Sequence, residues 1–208
     1  MRVENREVSA IVFDIGGVLL KWKPDEIIRA FTSDPEMQAL IKREIFEHPD
    51  WLAMDKGELS EAGAIERACR RTGIEKGKLG KLMEHINDSL VPIDDSVSLV
   101  EKLAADGIEL YCLSNMPEWR FDELHSRYSF WNYFQDFVIS GSIRMMKPDR
   151  EIFEYSIGRF GLRPSTTIFI DDHRPNIDAA QQFGIEAILF SGADDCCNEL
   201  QARLDLTR

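Results

Sequence analysis

The sequence has little cysteine, and none of it is spaced as in a metal site. The four cysteines are Cys69, Cys112, Cys196 and Cys197, and they form neither a Cys-x-x-Cys pair nor a Cys/His zinc pattern. Cys112 lies in an apolar run, which is typical of a core position. Cys196 and Cys197 are adjacent, so either a redox switch or two incidental thiols near a C-terminal helix fits them, and the second is simpler. Reduced thiols suit a cytoplasmic protein.

The sequence also lacks a long apolar run and an excess of basic residues. No stretch approaches the roughly 18 apolar residues of a membrane span. The segment MRVENREVSA carries charges where a signal peptide needs apolar residues. We therefore expect a cytoplasmic protein without a membrane partner. The formal net charge of −12 disfavours nucleic acid, because binding its phosphates requires clustered Lys and Arg. The oligomeric state leaves no signature.

Five short apolar runs predict the strands of one sheet. Most are apolar at nearly every position, which is typical of parallel strands covered on both faces. Helical patterns alternate with the last four runs. This alternation predicts an α/β fold with a doubly wound, parallel, Rossmann-like sheet. The predicted strands cover residues 10–14, 108–114, 136–140, 167–171 and 186–190, and the helices 117–128, 149–160 and 175–183.

The long gap between the first two strands predicts an insertion. A simple crossover needs far fewer residues than separate these strands, and the gap shows only helical patterns, such as PDEIIRAF and SEAGAIERACRR. We expect an all-helical cap at 21–90 and a catalytic core formed by 1–20 and 91–208. A helix over 96–107, ended by Gly107, returns the chain to the core.

Polar residues follow the apolar runs at four points, and the carboxyl ends of parallel strands meet at one edge of a sheet. Asp14 ends the first run, and Gly16-Gly17 lets the backbone approach a ligand closely. Ser114-Asn115 ends the second run with groups that hold phosphate oxygens. Each pair has a plainer interpretation, since a strand-ending Asp fits a tight turn and Ser114-Asn115 fits a helix cap.

Lys147 and the pair Asp171-Asp172 complete this set. Pro148 is typical of a helix start, so we expect Lys147 just before a helix N-terminus, where it can neutralise phosphoryl charge; a solvated lysine is the plainer alternative. Asp171 and Asp172 repel each other after an apolar run. A hard cation relieves that repulsion, and Mg²⁺ is the expected one. A helix cap explains one Asp more easily than two.

The motifs FDIGGV, LSN, KPD and FIDD stand in this order along the chain. Together they resemble the haloacid dehalogenase-like hydrolase superfamily, specifically the phosphatases with a helical cap after the first strand. Within it, the chain is similar to the bacterial α-D-glucose-1-phosphate phosphatase group in its Asp-x-Gly motif and in the segment WLAMDKGELS (51–60). The resemblance implies a Mg²⁺-dependent phosphomonoester hydrolase that acts on a small phosphorylated metabolite.

The resemblance also implies roles for the residues named above. Asp14 would be the nucleophile and a Mg²⁺ ligand, and the carbonyl of Gly16 and the carboxylate of Asp172 would complete the protein's metal ligands. Asp171 would lie beside the metal, bonding to metal-bound water or orienting Lys147. The phosphoryl oxygens would be held by Ser114, Asn115 and Lys147.

Gly16 departs from the family pattern, because most of these phosphatases place a second Asp there as general acid and base. Such help is typically worth about 10²–10⁴-fold in rate. The sequence therefore predicts a preference for activated esters such as sugar 1-phosphates. A substitute acid could come from the cap or from substrate-bound water, and the candidates in the cap are His48, Asp50, Trp51 and Asp55. Each also has a structural interpretation: His48 fits a surface position near a helix end, and Trp51 fits cap packing.

Three other functions compete with this prediction. A haloacid dehalogenase shares the Asp nucleophile but needs no metal, which leaves Asp171-Asp172 without a purpose, and a Tyr is expected in place of Gly16. A phosphoglucomutase needs the acid–base Asp that Gly16 replaces. A non-catalytic regulatory protein that keeps the phosphate and metal site is compatible with the loss of one catalytic group.

Overall fold

The computed structural model describes residues 8–205, with side chains up to Arg203, and its centre is a parallel five-stranded sheet. The strand order is β3-β2-β1-β4-β5, and every neighbouring pair runs parallel. The predicted doubly wound parallel sheet is confirmed, and each strand lies within a residue of its predicted range. The strands are β1 (Ala10–Phe13), β2 (Glu109–Ser114), β3 (Asp136–Ile139), β4 (Thr167–Asp171) and β5 (Glu186–Leu189).

Helices fill the gap between β1 and β2, as the sequence predicts. They pack around an apolar cluster of their own, which includes Ile41, Met54 and Leu82. A π-helical turn over Lys42–Phe46 continues the second helix. The third helix, of 7 residues, has no counterpart among the predicted patterns. The helices are α1 (Pro24–Phe31), α2 (Pro35–Ile41), α3 (Pro49–Asp55), α4 (Glu61–Thr72) and α5 (Lys76–Ser89).

In the part of the chain that the structure describes, six further helices surround the sheet. The helix predicted over 96–107 begins two residues earlier, where Asp94 and Asp95 place acidic side chains in its first turn. Among residues 8–205, no helix combines the length and hydropathy needed to cross a bilayer. The six are α6 (Asp94–Ala105), α7 (Glu118–Arg127), α8 (Ser140–Ile143), α9 (Arg150–Phe160), α10 (Arg174–Gln181) and α11 (Ala193–Asp205).

The segment that carries Lys147 differs from the prediction. Pro148 does not start a helix; it lies in a turn and follows a cis peptide bond. Asp149 precedes the first helical residue, Arg150. The expectation that Lys147 sits directly before a helix N-terminus is therefore wrong by two residues, and side-chain contacts hold Lys147 in place instead.

Alternate residues of each strand serve two separate apolar layers. Ile11 and Phe13 of β1 pack with α6, α7 and α11, whereas Ala10 and Val12 pack with α9 and α10. Central strands are thus covered on both faces, as a parallel sheet requires. The edge strand β5 is an exception, because Leu189 is 42% exposed. An edge strand has neighbours on one side only, so its apolar sequence does not imply full burial.

The structure describes all four cysteines as free. Cys112 lies in the core as predicted, and Cys196 is buried between α11 and the sheet. Burial raises the pKa of Cys196 to about 12. A thiol that ionises so reluctantly is a poor nucleophile, so the interpretation of Cys196-Cys197 as incidental thiols fits better than a redox switch.

Gly57 marks a close contact between the insertion and the core. Gly57 has a φ of 71°, and an added Cβ would overlap the carbonyl oxygen of Gly141, just after β3. Beside it, the Ser140 hydroxyl donates to the carbonyl of Asp55 and accepts the N–H of Met116 at 2.9 Å. The carboxyl end of α3 is therefore joined to the loop that follows β2.

The close contact predicts a specific cost for a side chain at Gly57. Replacement of Gly57 by Ala forces an L-residue to positive φ, at about 1–2 kcal/mol, and adds overpacking of about 1–3 kcal/mol. The control is Gly73→Ala, which also has positive φ (73°) but meets no atom within 4 Å. Urea unfolding should show a clearly larger loss of the free energy of unfolding for Gly57→Ala than for Gly73→Ala. Equal losses in the two variants would contradict the close contact.

Candidate active site

The four predicted points converge at one edge of the sheet. Asp14, Gly16, Asn115, Lys147 and Asp172 line a single cavity of about 800 Å³ between the sheet and the insertion. Ser114 lines it too, and Asp171 lies buried beneath. The structure thus brings together the residues that the sequence predicted for the nucleophile, the phosphate contacts and the metal, whereas only Trp51 and Asp55 of the four candidate acids line the cavity.

The ammonium group of Lys147 is buried and holds three strand ends together. Its Nζ lies 2.8 Å from the carbonyl oxygen of Leu113, 2.7 Å from Asp171 Oδ2 and 2.9 Å from Asp14 Oδ1. These contacts match the three donors of an ammonium group. Burial disfavours its charge, but Asp14 and Asp171 outweigh that effect and raise the pKa of Lys147 above its usual value.

Asp171 is buried and saturated with hydrogen bonds. It accepts from Lys147, from the backbone N–H of His173 at 2.8 Å and from Asn176 Nδ2 at 2.9 and 3.0 Å. A carboxylate offers about four lone-pair sites, and these contacts occupy them. The arrangement favours the predicted role of orienting Lys147 over direct coordination of a metal.

Asp14 combines burial with an ionic partner. Its Oδ1 accepts the N–H of Ile15 at 2.7 Å and contacts Lys147. Burial raises its pKa to about 6; Lys147 and the hydroxyl of Ser114 act in the opposite direction, and the charge of Asp171 adds to the increase. A carboxylate so desolvated is a better nucleophile than one in water, provided that its charge is compensated on binding.

Asn115 clamps the loop that carries Lys147. Its Nδ2 donates to the carbonyl of Lys147 at 2.8 Å, and its Oδ1 accepts the N–H of the same residue at 2.8 Å. The side-chain amide is therefore paired with protein backbone. Ser114 hydrogen-bonds to Asp14. Both residues have a structural task at the site beside any contact with phosphate.

Three carboxylates at this edge could hold a metal ion. Asp14, Asp171 and Asp172 each offer an oxygen, and these oxygens lie within 4.8 Å of one another. When all are ionised, Lys147 compensates one of three negative charges, so two remain. Gly17 has a φ of 79°, and a Cβ there would overlap Asp172 Oδ2. The donor set, all oxygen and acidic, fits a hard cation such as Mg²⁺.

The insertion supplies an aromatic wall that the sequence analysis did not predict as a unit. The rings of Trp22, Phe46 and Trp51 lie 5.0–5.8 Å apart and all line the cavity. Their spacing in the sequence is irregular, so only the fold of the insertion reveals the wall. The predicted packing role of Trp51 is correct but incomplete, because Trp51 also faces the cavity.

Arg120 was missed as well. It lies on α7, is 3% exposed and lines the cavity. Its guanidinium carbon lies 5.2 Å from the ring of Trp51 and 4.8 Å from that of Trp119. Buried arginines are rare, but nothing in the helical pattern around Arg120 marks this position as buried.

Comparisons with known proteins give a family-model match and several distant relatives. The model of the haloacid dehalogenase-like hydrolases matches residues 8–184. The sesquiterpene phosphatase astK of Aspergillus oryzae is 26% identical over 193 residues, which cover 93% of this chain and 95% of the relative. Flavin mononucleotide hydrolase 1 of Arabidopsis thaliana is 28% identical, covering 94% of this chain and 77% of the relative.

Solved structures share the fold. The HAD family enzyme bt-2542 of Bacteroides thetaiotaomicron, crystallised with magnesium and inorganic phosphate, aligns with a TM-score of 0.69. It is 24% identical, and the alignment covers 87% of this chain and 93% of that one. The similarity confirms the α/β sheet with a helical insertion.

The buried contacts of Lys147 predict a large effect of its removal. Lys147→Met leaves Asp14 and Asp171 unpaired, which costs about 3–5 kcal/mol of the free energy of unfolding. Without the ammonium group, which lowers it, the folded-state pKa of Asp14 rises further above its unfolded value. The loss should therefore be greatest at pH 8 and should shrink toward pH 5, where Asp14 gains a proton.

The measurement is urea unfolding at several pH values without divalent cations. Lys42→Met is the control, since Lys42 forms an exposed ion pair with Asp25, and it should change stability little at any pH. A loss of the free energy of unfolding for Lys147→Met that is as small as the loss for Lys42→Met would contradict the buried ionic cluster.

Proposed function

The chain belongs to the haloacid dehalogenase-like hydrolases and is a phosphatase, and we propose that it hydrolyses phosphomonoesters through a covalent aspartyl-phosphate on Asp14 with Mg²⁺ as cofactor. The observation that carries this proposal is the contact of Asp14 with buried Lys147 in an acidic cluster at the floor of a cavity. Such a cluster provides a nucleophile, a fixed positive charge and oxygen ligands in one place.

The metal would be held by Asp14 and Asp172 together with the backbone carbonyl of Gly16. Asp171 would stand behind them and position Lys147. When bound, Mg²⁺ supplies positive charge that lets the anionic Asp14 approach an anionic phosphoryl group.

The remaining steps use residues of the chain. An oxygen of Asp14 forms a bond to phosphorus while the bond to the leaving oxygen breaks. Esterification removes the full charge of the Asp14 carboxylate, so the N–H of Lys147 that bonded to it turns to a phosphoryl oxygen. Ser114 loses its ionic acceptor in the same way and is free to donate to the phosphoryl group. Water then attacks phosphorus and restores Asp14.

Asn115 keeps Lys147 in place during these steps. Because both polar ends of its side chain bond to the backbone of Lys147, its contribution to phosphate binding would come from its backbone N–H. Its side chain fixes the loop, and a fixed loop spares the reaction the cost of reorganising the charge.

We assign residues 21–90 to a cap that closes the cavity, and residues 1–20 with 91–208 to the catalytic core. The insertion has its own apolar cluster and contributes the aromatic wall opposite Asp14. A closed cap excludes bulk water from the phosphoryl group, which strengthens the electrostatic contacts.

The substrate we propose is a small sugar phosphate, in particular a sugar 1-phosphate. Its anomeric oxygen leaves more easily than an ordinary alkyl oxygen, which suits a core that has Gly16 in place of a second Asp and depends on the insertion for a proton donor. The sequence resemblance to bacterial α-D-glucose-1-phosphate phosphatases supports this choice. Polar residues of the insertion, among them Asp25, Lys42 and Glu47, line the cavity and offer partners for hydroxyl groups.

A second class of substrate follows from the aromatic wall. Trp22, Phe46, Trp51 and the half-exposed Leu52 offer flat and apolar surface to a large leaving group. The names of two relatives refer to a sesquiterpene phosphate and to flavin mononucleotide, and both of these substrates have large leaving groups of this kind. Phosphates of this class should therefore be tested as substrates beside the sugar phosphates.

The catalytic proposal predicts strict dependence on Asp14. Asp14→Asn should abolish release of inorganic phosphate from a preferred ester, and removal of Mg²⁺ with EDTA should do the same to the wild type. Asp172→Asn should raise the Mg²⁺ concentration needed for half-maximal activity. Asp178→Asn, an exposed change on α10, is the control and should retain activity. Binding of phosphate and Mg²⁺ without turnover in the wild type would instead indicate a regulatory protein.

The substrate proposal is tested by two isomers. Glucose 1-phosphate and glucose 6-phosphate have the same composition and charge but differ in the leaving oxygen, which is anomeric in one and alkyl in the other. We expect a higher kcat/KM for glucose 1-phosphate. Flavin mononucleotide and a sesquiterpenyl phosphate are assayed beside them. Preference for either large ester over both sugars would overturn the sugar-phosphate assignment in favour of the second class.

A further inference from the structure

We propose that Asp55 of the insertion supplies the acid–base function that Gly16 leaves unfilled, by donating a proton to the leaving oxygen and later accepting one from water. This inference rests on the proposed function of Asp14. The Asp14–phosphorus bond forms while the bond from phosphorus to the leaving oxygen breaks. The carboxyl proton of Asp55 moves to that oxygen and completes the alcohol product. When water attacks the aspartyl-phosphate, its proton returns to Asp55.

Asp55 lies on the side of the cavity where a proton donor is needed. An in-line displacement places the leaving oxygen opposite the attacking group, so it points away from Asp14 and the sheet, toward the insertion. Asp55 ends α3 of the insertion and lines the same cavity as Asp14. Its side chain therefore belongs to the wall that a leaving group faces.

The backbone contacts of Asp55 fix its position relative to the loop that follows β2. Its carbonyl oxygen accepts from the Ser140 hydroxyl, which also accepts the N–H of Met116, two residues beyond Ser114. The tight approach of Gly57 to Gly141 lies two residues further along. An acid must be positioned within hydrogen-bond reach of its substrate, and this anchored segment provides a fixed starting point.

The surroundings of Asp55 favour a carboxyl group that keeps its proton near neutral pH. Burial raises the pKa of Asp55 to about 7, while the positive charge of Arg120 and a hydrogen bond from Trp51 act against the rise. A general acid works best with a pKa near the working pH. A typical exposed aspartate, with a pKa of about 3.9, has too little of the protonated form at pH 7.

Arg120 acts on Asp55 as a positioning residue through its charge. Its guanidinium is enclosed by Trp51 and Trp119, and its Nε and Nη2 atoms have no hydrogen-bond partner among the described residues. A bidentate pair with Arg120 would hold Asp55 ionised. The looser arrangement leaves Asp55 able to bind a proton and still stabilises the carboxylate that proton transfer produces.

Other charged groups near Asp55 interact mainly with Arg120 or lie elsewhere on the cavity wall. The negative charges of Glu61 of α4 and Glu123 of α7 stabilise the charged form of Arg120. Lys42 of the π-helical turn and Glu47 directly after it line the cavity. The other ionisable groups that line it are Asp14, Asp25, Lys147, Asp149, Asp172 and His173.

The other candidates in the insertion fit the role less well. Asp50 forms ion pairs with Arg67 and Arg71, and its pKa is lowered, so it remains ionised. His48 accepts the N–H of Asp50 and caps α3, as the structural interpretation predicted. Among the described residues, the cavity lining includes neither of them. Trp51 has no proton to exchange near neutral pH.

The test is the dependence of kcat/KM on the leaving group in Asp55→Asn, because kcat/KM reports the steps up to loss of the leaving group. For glucose 6-phosphate and other alkyl esters we expect a loss of about 100-fold or more, and for 4-nitrophenyl phosphate a loss below about 5-fold, since a good leaving group needs little protonation. A series of aryl phosphates should give a steeper dependence on leaving-group pKa than in the wild type. The ratio of kcat/KM for glucose 1-phosphate to kcat/KM for glucose 6-phosphate should be larger in Asp55→Asn than in the wild type.

Because each comparison is made within one variant, a partly unfolded preparation does not alter it. Asp88→Asn is the matched control: Asp88 is an exposed aspartate of the insertion outside the cavity lining, so its leaving-group dependence should equal that of the wild type. A loss for Asp55→Asn that is the same for every ester would overturn the acid role and leave Asp55 as a structural partner of Arg120.

The pH profile gives an independent readout. The acid must be protonated, so wild-type kcat/KM for alkyl esters should fall as pH rises through about 7, where Asp55 ionises, and this limb should be absent in Asp55→Asn. An unchanged limb would contradict the proposal. Activity that survives Asp14→Asn would instead overturn the proposed function itself, so the two failures are distinguishable.

Discussion

The contact of one buried ammonium group with two buried carboxylates is the constraint on which the rest of the structure depends. Lys147 joins Asp14 after β1, Leu113 on β2 and Asp171 on β4. None of these charges is stable in the interior alone, because burial of an unpaired ion costs several kcal/mol. The strand order β2-β1-β4 places their ends side by side, and Asn115 holds the loop of Lys147 against the same edge.

This cluster is compensated only in part, and the remainder supports the proposed function. Lys147 offsets one of the three carboxylates, and the negative charge that remains favours a hard cation. In the proposed reaction the same charges surround the transferring group, with little reorganisation needed. The aromatic wall of the insertion then limits water and gives the leaving group a surface. Asp55 stands in that wall as the acid that the core does not provide.

The sequence predicted the sheet and the polar residues that meet at its edge because their signals are local. An apolar run that ends in Asp14, or in Asp171 and Asp172, marks both a buried strand and a costly charge at its end. The parallel arrangement then implies that these ends meet. Edge strand β5 and the start of α9 were less predictable, since partial exposure and the turn at Pro148 depend on neighbours that are remote in the sequence.

The cavity wall escaped prediction for the same reason. Trp22, Phe46 and Trp51 come from different segments of the insertion, and Arg120 comes from the core, so their proximity depends on how the two parts pack. Asp55 was one of four candidates for a missing acid. Burial and the contacts of α3 with Ser140 distinguish it from His48 and Asp50, and neither property has a signal in the local sequence.

The central claim is that a cation joins the carboxylates of Asp14 and Asp172 while Asp14 accepts a phosphoryl group. The most direct test is a crystal structure of the protein with Mg²⁺ and beryllium fluoride, which mimics a phosphoryl group on a carboxylate. The account predicts beryllium fluoride on Asp14, with Mg²⁺ between it and Asp172 and Lys147 in contact with a fluorine atom. Beryllium fluoride absent from Asp14, or a cation bound away from Asp172, would contradict it.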